Sequence, residues 1–176
     1  PLSPGARARA LVGRPFQVFG ARHASVELLG EGRAPSLELS ELGMLLQRST
    51  WLPGAGLSGV AARLVLDAEE LPTNASRSAV REDARLLRGA LDGGTRACAE
   101  AIAALGGIFT GKPLPDGVEL LETDPARLEH ALGAVVAAVA HEERRGTALG
   151  PEARALLDLR LRHVRIEPGP GVDVAF

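Results

Sequence analysis

The chain has 176 residues and a formal net charge of -2, with 45% hydrophobic and 24% charged residues. It is long enough to bury a core of its own, and its composition excludes a disordered chain and a strongly basic nucleic-acid-binding protein. Cys98 is the only cysteine and Lys112 the only lysine. The lone cysteine excludes an intramolecular disulfide and favours a reducing compartment, for which the cytoplasm is the default. The most apolar stretch, residues 131–140, has about half the length of a membrane span, so neither export nor insertion is expected.

The first third of the chain is predicted to form strands. Apolar residues alternate around Phe16 and Val18, and again around Val26 and Leu28, with a break at Gly20. Alternation with a period of two is typical of half-buried strands, and a hairpin or meander is the simplest arrangement.

A short helix and a further strand are predicted next. Ser40 precedes residues 41–47, which read as a helix with a serine N-cap and a glutamate in its first turn. Glycine and proline then predict a loop over residues 53–59. The branched and aliphatic run that follows predicts a strand ending at Asp67.

A long helical pattern dominates the centre of the chain. Eight small or apolar residues are spaced alternately four and three apart, which places them on one helix face. Cys98 is among them, and we expect it to fill space in the core. Whether Gly93 and Gly94 divide the pattern into two helices is left open. The eight residues are Val80, Ala84, Leu87, Leu91, Gly94, Cys98, Ala101 and Leu105.

A second helix is predicted from Asp124-Pro125 to about Arg145. Aspartate is a common N-cap and proline a common first helical residue. Glycines and prolines in the segment before it suggest two regions, an α/β domain over 1–105 and a helical extension over 106–176. The last ten residues are left unassigned.

Three short motifs lack a required residue or a required context. Residues 106–113 imitate a phosphate-binding P-loop, but Pro113 stands where a magnesium-binding hydroxyl is needed. His141-Glu142 begins like a zinc-protease helix, but Arg145 replaces the second histidine. No metal site is predicted, and the glycosylation match at Asn74 would require secretion.

The segment from Leu66 to Asp83 carries the main functional signal. A strand leads into an acidic patch, a Leu-Pro turn and a polar tip before the long helix. Asn74 and Ser76 are expected to bond local backbone groups and to cap that helix. Arg77 would then lie near a helix N-terminus, where a cation is disfavoured unless it meets an anion.

This segment resembles the catalytic loop in the middle segment of heat-shock protein 90 chaperones, members of the GHKL ATPase group. The family pattern is Asp-Leu-Pro-Leu-Asn-aliphatic-Ser-Arg-Glu, and the resemblance extends over about residues 60–91. Ser78 replaces the final glutamate of the pattern, and Arg81 replaces a glutamine four residues after the arginine, so the polar groups around the phosphate would differ from those of the family. The matching stretch here reads Glu70-Leu71-Pro72-Thr73-Asn74-Ala75-Ser76-Arg77-Ser78.

The resemblance implies a fold and a role. The fold is an α/β (α+β) two-layer sandwich like domain 2 of ribosomal protein S5, followed by the helical extension. Arg77 would reach the terminal phosphate of ATP. A separate N-terminal nucleotide-binding domain, expected before Pro1, would bind that ATP together with Mg²⁺. Asn74 and Ser76 would hold the loop in shape, and Arg81 would be a second phosphate ligand or a solvated helix residue. The expected partners are that domain, a client protein and a second copy of the chain, with no nucleic acid and no membrane.

Two alternatives remain. In the first, the chain is a non-enzymatic scaffold that binds a protein partner through an apolar face, and Arg77 is a surface residue paired with Glu82 or Asp83. The second assigns the chain to other GHKL proteins, such as mismatch-repair proteins or topoisomerase transducer domains. That assignment needs a phosphate-reaching lysine, and Lys112 follows an unsuitable helix.

Overall fold

The fold consists of one mixed sheet with two long helices. A computed structural model describes residues 10–30, 35–54, 57–74, 79–81, 84–109, 111–151 and 153–157. In chain order the elements are β1 (Ala10–Pro15), β2 (Ala21–Leu29), β3 (Ser36–Glu41), β4 (Met44–Thr50), β5 (Ala62–Ala68), α1 (Arg85–Phe109), β6 (Glu119–Leu120) and α2 (Pro125–Arg144).

The six strands lie in the order β4-β3-β5-β2-β1-β6. All neighbouring strands are antiparallel except β3 and β5, which run parallel. The predicted α/β class is therefore confirmed at the level of a mixed sheet with helices. The hairpin predicted around Gly20 is confirmed as β1 and β2, but β1 ends at Pro15, so Phe16 and Val18 lie in the connection and not in a strand. β5 ends one residue beyond Asp67.

Alternation along the strands gives the sheet two different faces. In β5, Leu64 and Leu66 are fully buried, whereas Arg63, Val65 and Asp67 are half-buried on the other side. The registers place Leu37 and Leu39 of β3 opposite Leu64 and Leu66. Because α1 packs against β1, β2 and β5, these leucines form the core between sheet and helix.

The helix predicted over residues 41–47 is wrong, since this segment is the turn and outer strand of a β3–β4 hairpin. Leu42 and Gly43 both have positive φ angles, 52° and 80°, as a tight two-residue hairpin turn requires. Ser40 lies within β3, where it pairs with Asp67 of β5, and caps no helix. Hydrogen bonds to two neighbouring strands thus outweigh the local helical pattern.

Helix α1 is continuous through Gly93 and Gly94 and is not divided. Both glycines permit close packing. A Cβ at Gly93 would lie 2.6 Å from Phe16, and one at Gly94 would lie 2.9 Å from Leu64. The predicted apolar face is otherwise confirmed within the helix, where Cys98 is fully buried, while Val80 and Ala84 precede its first turn.

The second half of the chain contacts the sheet and α1. Strand β6 pairs with β1, and α2 packs against α1. The predicted start of α2 is confirmed, because the Asp124 carboxylate accepts a hydrogen bond from the Ala126 backbone N–H at 3.0 Å. Buried side chains of α2 belong to the same core cluster as those of β5. The division between residues 105 and 106 stays a prediction.

Among the described residues, helix length and polarity rule out a membrane-spanning helix.

Candidate functional site: the loop after β5 and the arginine groove

The segment after β5 closes on itself. Thr73 and Val80 form an antiparallel bridge, and the Asn74 backbone N–H donates to the Ala79 carbonyl at 2.9 Å. The Ala79 backbone N–H in turn donates to the Asn74 side-chain oxygen at 3.4 Å. The residues on either side of the Ser76-Arg77 motif are therefore joined as the two arms of a narrow loop.

The β3–β4 hairpin anchors this loop through two side chains. Glu41 accepts a hydrogen bond from the Leu71 backbone N–H at 3.0 Å. Gln47 accepts one from the Val80 backbone N–H at 3.1 Å. Each bond satisfies a backbone donor that has no helix or strand partner, so the arms are held at a defined distance from the sheet.

The sequence did not predict Glu41 and Gln47 as supporting residues, because they were placed in a helix. The alternation of Leu37 and Leu39 before Leu42-Gly43 is the signal that could have indicated a hairpin. It was weak, since Asn-Gly or Asp-Gly is the usual sequence of such a turn.

The four predicted site residues have different outcomes. Ser76 and Arg77 lie outside the described residues, as do Glu82 and Asp83, so the role of Arg77 stays a prediction. The local backbone bond expected of Asn74 is confirmed, but its role as a cap of the long helix is wrong. That helix begins at Arg85, and the bridge between Thr73 and Val80 turns the chain back first.

Arg81 is exposed and also precedes α1, so its alternative interpretation as a helix residue is wrong. Its backbone N–H donates to the Pro72 carbonyl at 2.7 Å, which ties the end of the loop to its beginning. It lines an open groove of about 660 Å³ together with Glu70, Arg85 and Phe19. The structure thus places Arg81 at an exposed position in the same groove as Arg85.

Phe19 is the most exposed large hydrophobic residue among those described, with 88% of its surface accessible. It lies in the β1–β2 connection, next to Gly20, whose φ of 87° makes the turn. The Arg85 guanidinium lies 5.7 Å from the centre of its ring, within the range of a cation–π contact. The backbone turn and the first turn of α1 therefore present an aromatic ring and a cation side by side.

A second open groove, of about 620 Å³, also has Phe19 in its lining. Arg85 lines both grooves, and Arg88, Asp92 and Arg96 of α1 line the second. Guanidinium groups stay charged at all physiological pH values and bind carboxylates and phosphates with paired N–H donors. The chemistry offered by this surface is recognition of anions.

Nucleophilic or metal chemistry has little support in the described part of the chain. Burial raises the pKa of the Cys98 thiol to about 12, so the thiolate is not formed near neutral pH. No group of three or more histidine, cysteine, aspartate or glutamate residues there is arranged to hold a metal ion.

A scan against protein-family models, a search of curated proteins and a search of solved structures each found no match for this chain.

Proposed function

We propose that this chain is the middle region of a chaperone-like GHKL ATPase. In this proposal Arg77 reaches the terminal phosphate of ATP bound, with Mg²⁺, by a separate nucleotide-binding domain of the same cytoplasmic polypeptide. Its sandwich would have the topology of domain 2 of ribosomal protein S5. The region would also contact client protein.

The observation that carries this proposal is the position of Arg81. It follows the closed arms of the motif loop directly and lines an arginine-bearing groove open to solvent. An arginine that must reach an anion in another domain has to be exposed to solvent, and its backbone has to be fixed by neighbouring residues. Arg81 satisfies both conditions. Its backbone bond to Pro72 limits its movement relative to the loop.

Two arginines at this site would stabilise charge that develops during phosphoryl transfer. An arginine supplied from a second domain or protein can raise the rate of phosphoryl transfer by about 10³–10⁵. It does so by offering N–H donors already oriented toward the transferring group. Asn74, named with Ser76 among the residues of the ATP-binding loop, is bonded to Ala79 and would keep that orientation.

The test is steady-state ATP hydrolysis by the full polypeptide that carries both regions. We expect Arg77→Ala to lower kcat by at least about 10²-fold and Arg81→Ala by a smaller factor. Arg144→Ala is the matched control, because this exposed arginine lies on α2 and lines neither groove. Folding of every variant is checked by thermal unfolding.

A non-enzymatic scaffold is the second candidate, and the edge of the sheet favours it. β4 is an outer strand, and its residues Met44, Leu45 and Leu46 are exposed although they are apolar. Exposed apolar edge strands are typical of protein-binding surfaces. Equal turnover in wild type and Arg77→Ala, or no turnover in either, would reject the ATPase proposal and leave this one.

A further inference from the structure

A charged stripe runs along the exposed side of α1 beside Phe19. Arg85, Arg88, Asp92 and Arg96 are spaced three, four and four residues apart, which places them on one helix face. All three arginines are exposed, and the stripe covers roughly 16 Å at the rise of an α-helix.

We propose that this stripe and Phe19 form a docking surface for an acidic segment of a partner protein. Among the described residues that line the two grooves, the four arginines Arg81, Arg85, Arg88 and Arg96 outnumber the two carboxylates, whereas the whole chain has a net charge of -2. Charge complementarity therefore selects a negatively charged partner.

The exposed ring adds an apolar anchor to the charged stripe. Phe19 lines both grooves, so a bulky apolar side chain of the partner could pack against its exposed ring when the segment binds. Aromatic residues and arginines contribute most of the binding energy in many protein interfaces. Arg85, already against the ring, would lose little side-chain freedom when it pairs with a carboxylate.

The arrangement fits a polypeptide better than a compact polyphosphate. Glu70 lies in one groove and Asp92 lies between Arg88 and Arg96 in the sequence of the stripe. A polyphosphate concentrates its charge within a few ångströms, so it would pair with only part of a stripe that extends over roughly 16 Å. An acidic segment can align its own charged and uncharged residues with the stripe over its full length.

This inference goes beyond the proposed function, because it requires neither ATP nor a nucleotide-binding domain. Its experiment contains no nucleotide, so it fails or succeeds separately from the ATPase measurement.

The experiment measures binding of labelled peptides to the 176-residue chain by fluorescence anisotropy. The probe is a peptide of about 16 residues built from glutamate and alanine with one central leucine, long enough to cover the stripe. A second peptide carries glutamine in place of every glutamate, and inorganic tripolyphosphate is added as a competitor.

We expect the glutamate peptide to bind, and to bind more weakly as salt rises from about 50 to about 300 mM, because screening weakens exposed ion pairs. Phe19→Ala and Arg85→Ala should each weaken binding by about tenfold. Both side chains are exposed, so their removal leaves the core intact. Arg144→Ala should leave binding unchanged.

Three results would overturn the proposal: equal binding of the glutamate and glutamine peptides, no binding of either, or unchanged affinity in both groove variants. Displacement of the glutamate peptide by tripolyphosphate at lower concentration than by unlabelled peptide would assign the surface to a phosphate ligand instead.

Discussion

The two faces of the sheet differ most clearly at two adjacent residues of β5. Leu64 points into the core under α1 and is fully buried. Arg63 lies on the opposite face, where its side chain is 13% exposed and bonds Glu27 of β2. One residue along a strand thus separates an apolar interior from a nearly buried set of charges.

The charges on the second face form a ladder across four strands. Glu27 stands directly opposite Arg63, and Glu38 stands directly opposite Arg48. Arg48 donates to Glu38 at 2.5 Å, and Arg63 lies 3.8 Å from the same carboxylate. The ladder therefore joins β2, β5, β3 and β4 by alternating charge.

The leucine face and the charged face of the sheet contribute to folding in different ways. Burial of the leucine face supplies most of the stability, since each buried leucine side chain contributes about 1.5–3 kcal/mol. A slip of one residue in either strand would move the charges into that core. The ladder on the other face consequently favours one register and disfavours its neighbours.

Truncation of the apolar face should have the largest effect. Leu64→Ala is expected to lower the free energy of unfolding by about 3–5 kcal/mol, through lost apolar burial and a cavity under α1. Chemical denaturation measures the change. Leu46→Ala on the exposed edge strand is the control and should cost under about 1 kcal/mol. Equal losses in the two variants would contradict the assignment of the core to the α1 face.

Removal of the central charge of the ladder should have an intermediate effect. Arg63→Ala leaves Glu27 without this partner and removes a positive charge close to Glu38. We therefore expect the free energy of unfolding to fall by about 2 kcal/mol. Arg154→Ala removes a pairing with Glu143 of α2 in which both side chains are exposed, and it should cost about 0.5 kcal/mol or less.

A double-mutant cycle between Arg63→Ala and Glu27→Ala isolates the pair itself. A coupling energy of about 1 kcal/mol is expected for directly opposed, partly buried charges. A coupling of zero would show that the ladder does not stabilise the sheet.

The smallest effect concerns Cys98, which lies on α1 over the apolar face. Its folded pKa of about 12 exceeds the ordinary 9.0, so unfolding releases a proton between these values and stability falls as pH rises. The contribution of this thiol to the free energy of unfolding is fully present below pH 9. Between pH 8 and 10, the free energy of unfolding of wild type should fall by roughly 1 kcal/mol more than that of Cys98→Ala in denaturation experiments. Parallel pH profiles would mean that the thiol is not desolvated.

Local patterns predicted several parts of the fold correctly. The alternation in β5, the aspartate-proline start of α2 and the apolar face of α1 all depend on residues close in sequence. The site was only partly predictable. The sequence singled out Arg81, but the groove that Arg81 lines also includes Phe19, which is more than 50 residues away in the chain.

The sequence by itself determined the end of β5 to within one residue, the extent of α2 and the apolar face of α1, because periodicity and capping act over a few residues. Tertiary structure decided whether Ser40 lay in a helix or a strand, since pairing with β5 and β4 outweighs a weak helical preference. It also decided that Gly93 and Gly94 allow close packing within one helix, because Phe16 and Leu64 occupy the space that side chains there would need. Contacts between residues distant in the chain made both choices, and no local pattern encodes them.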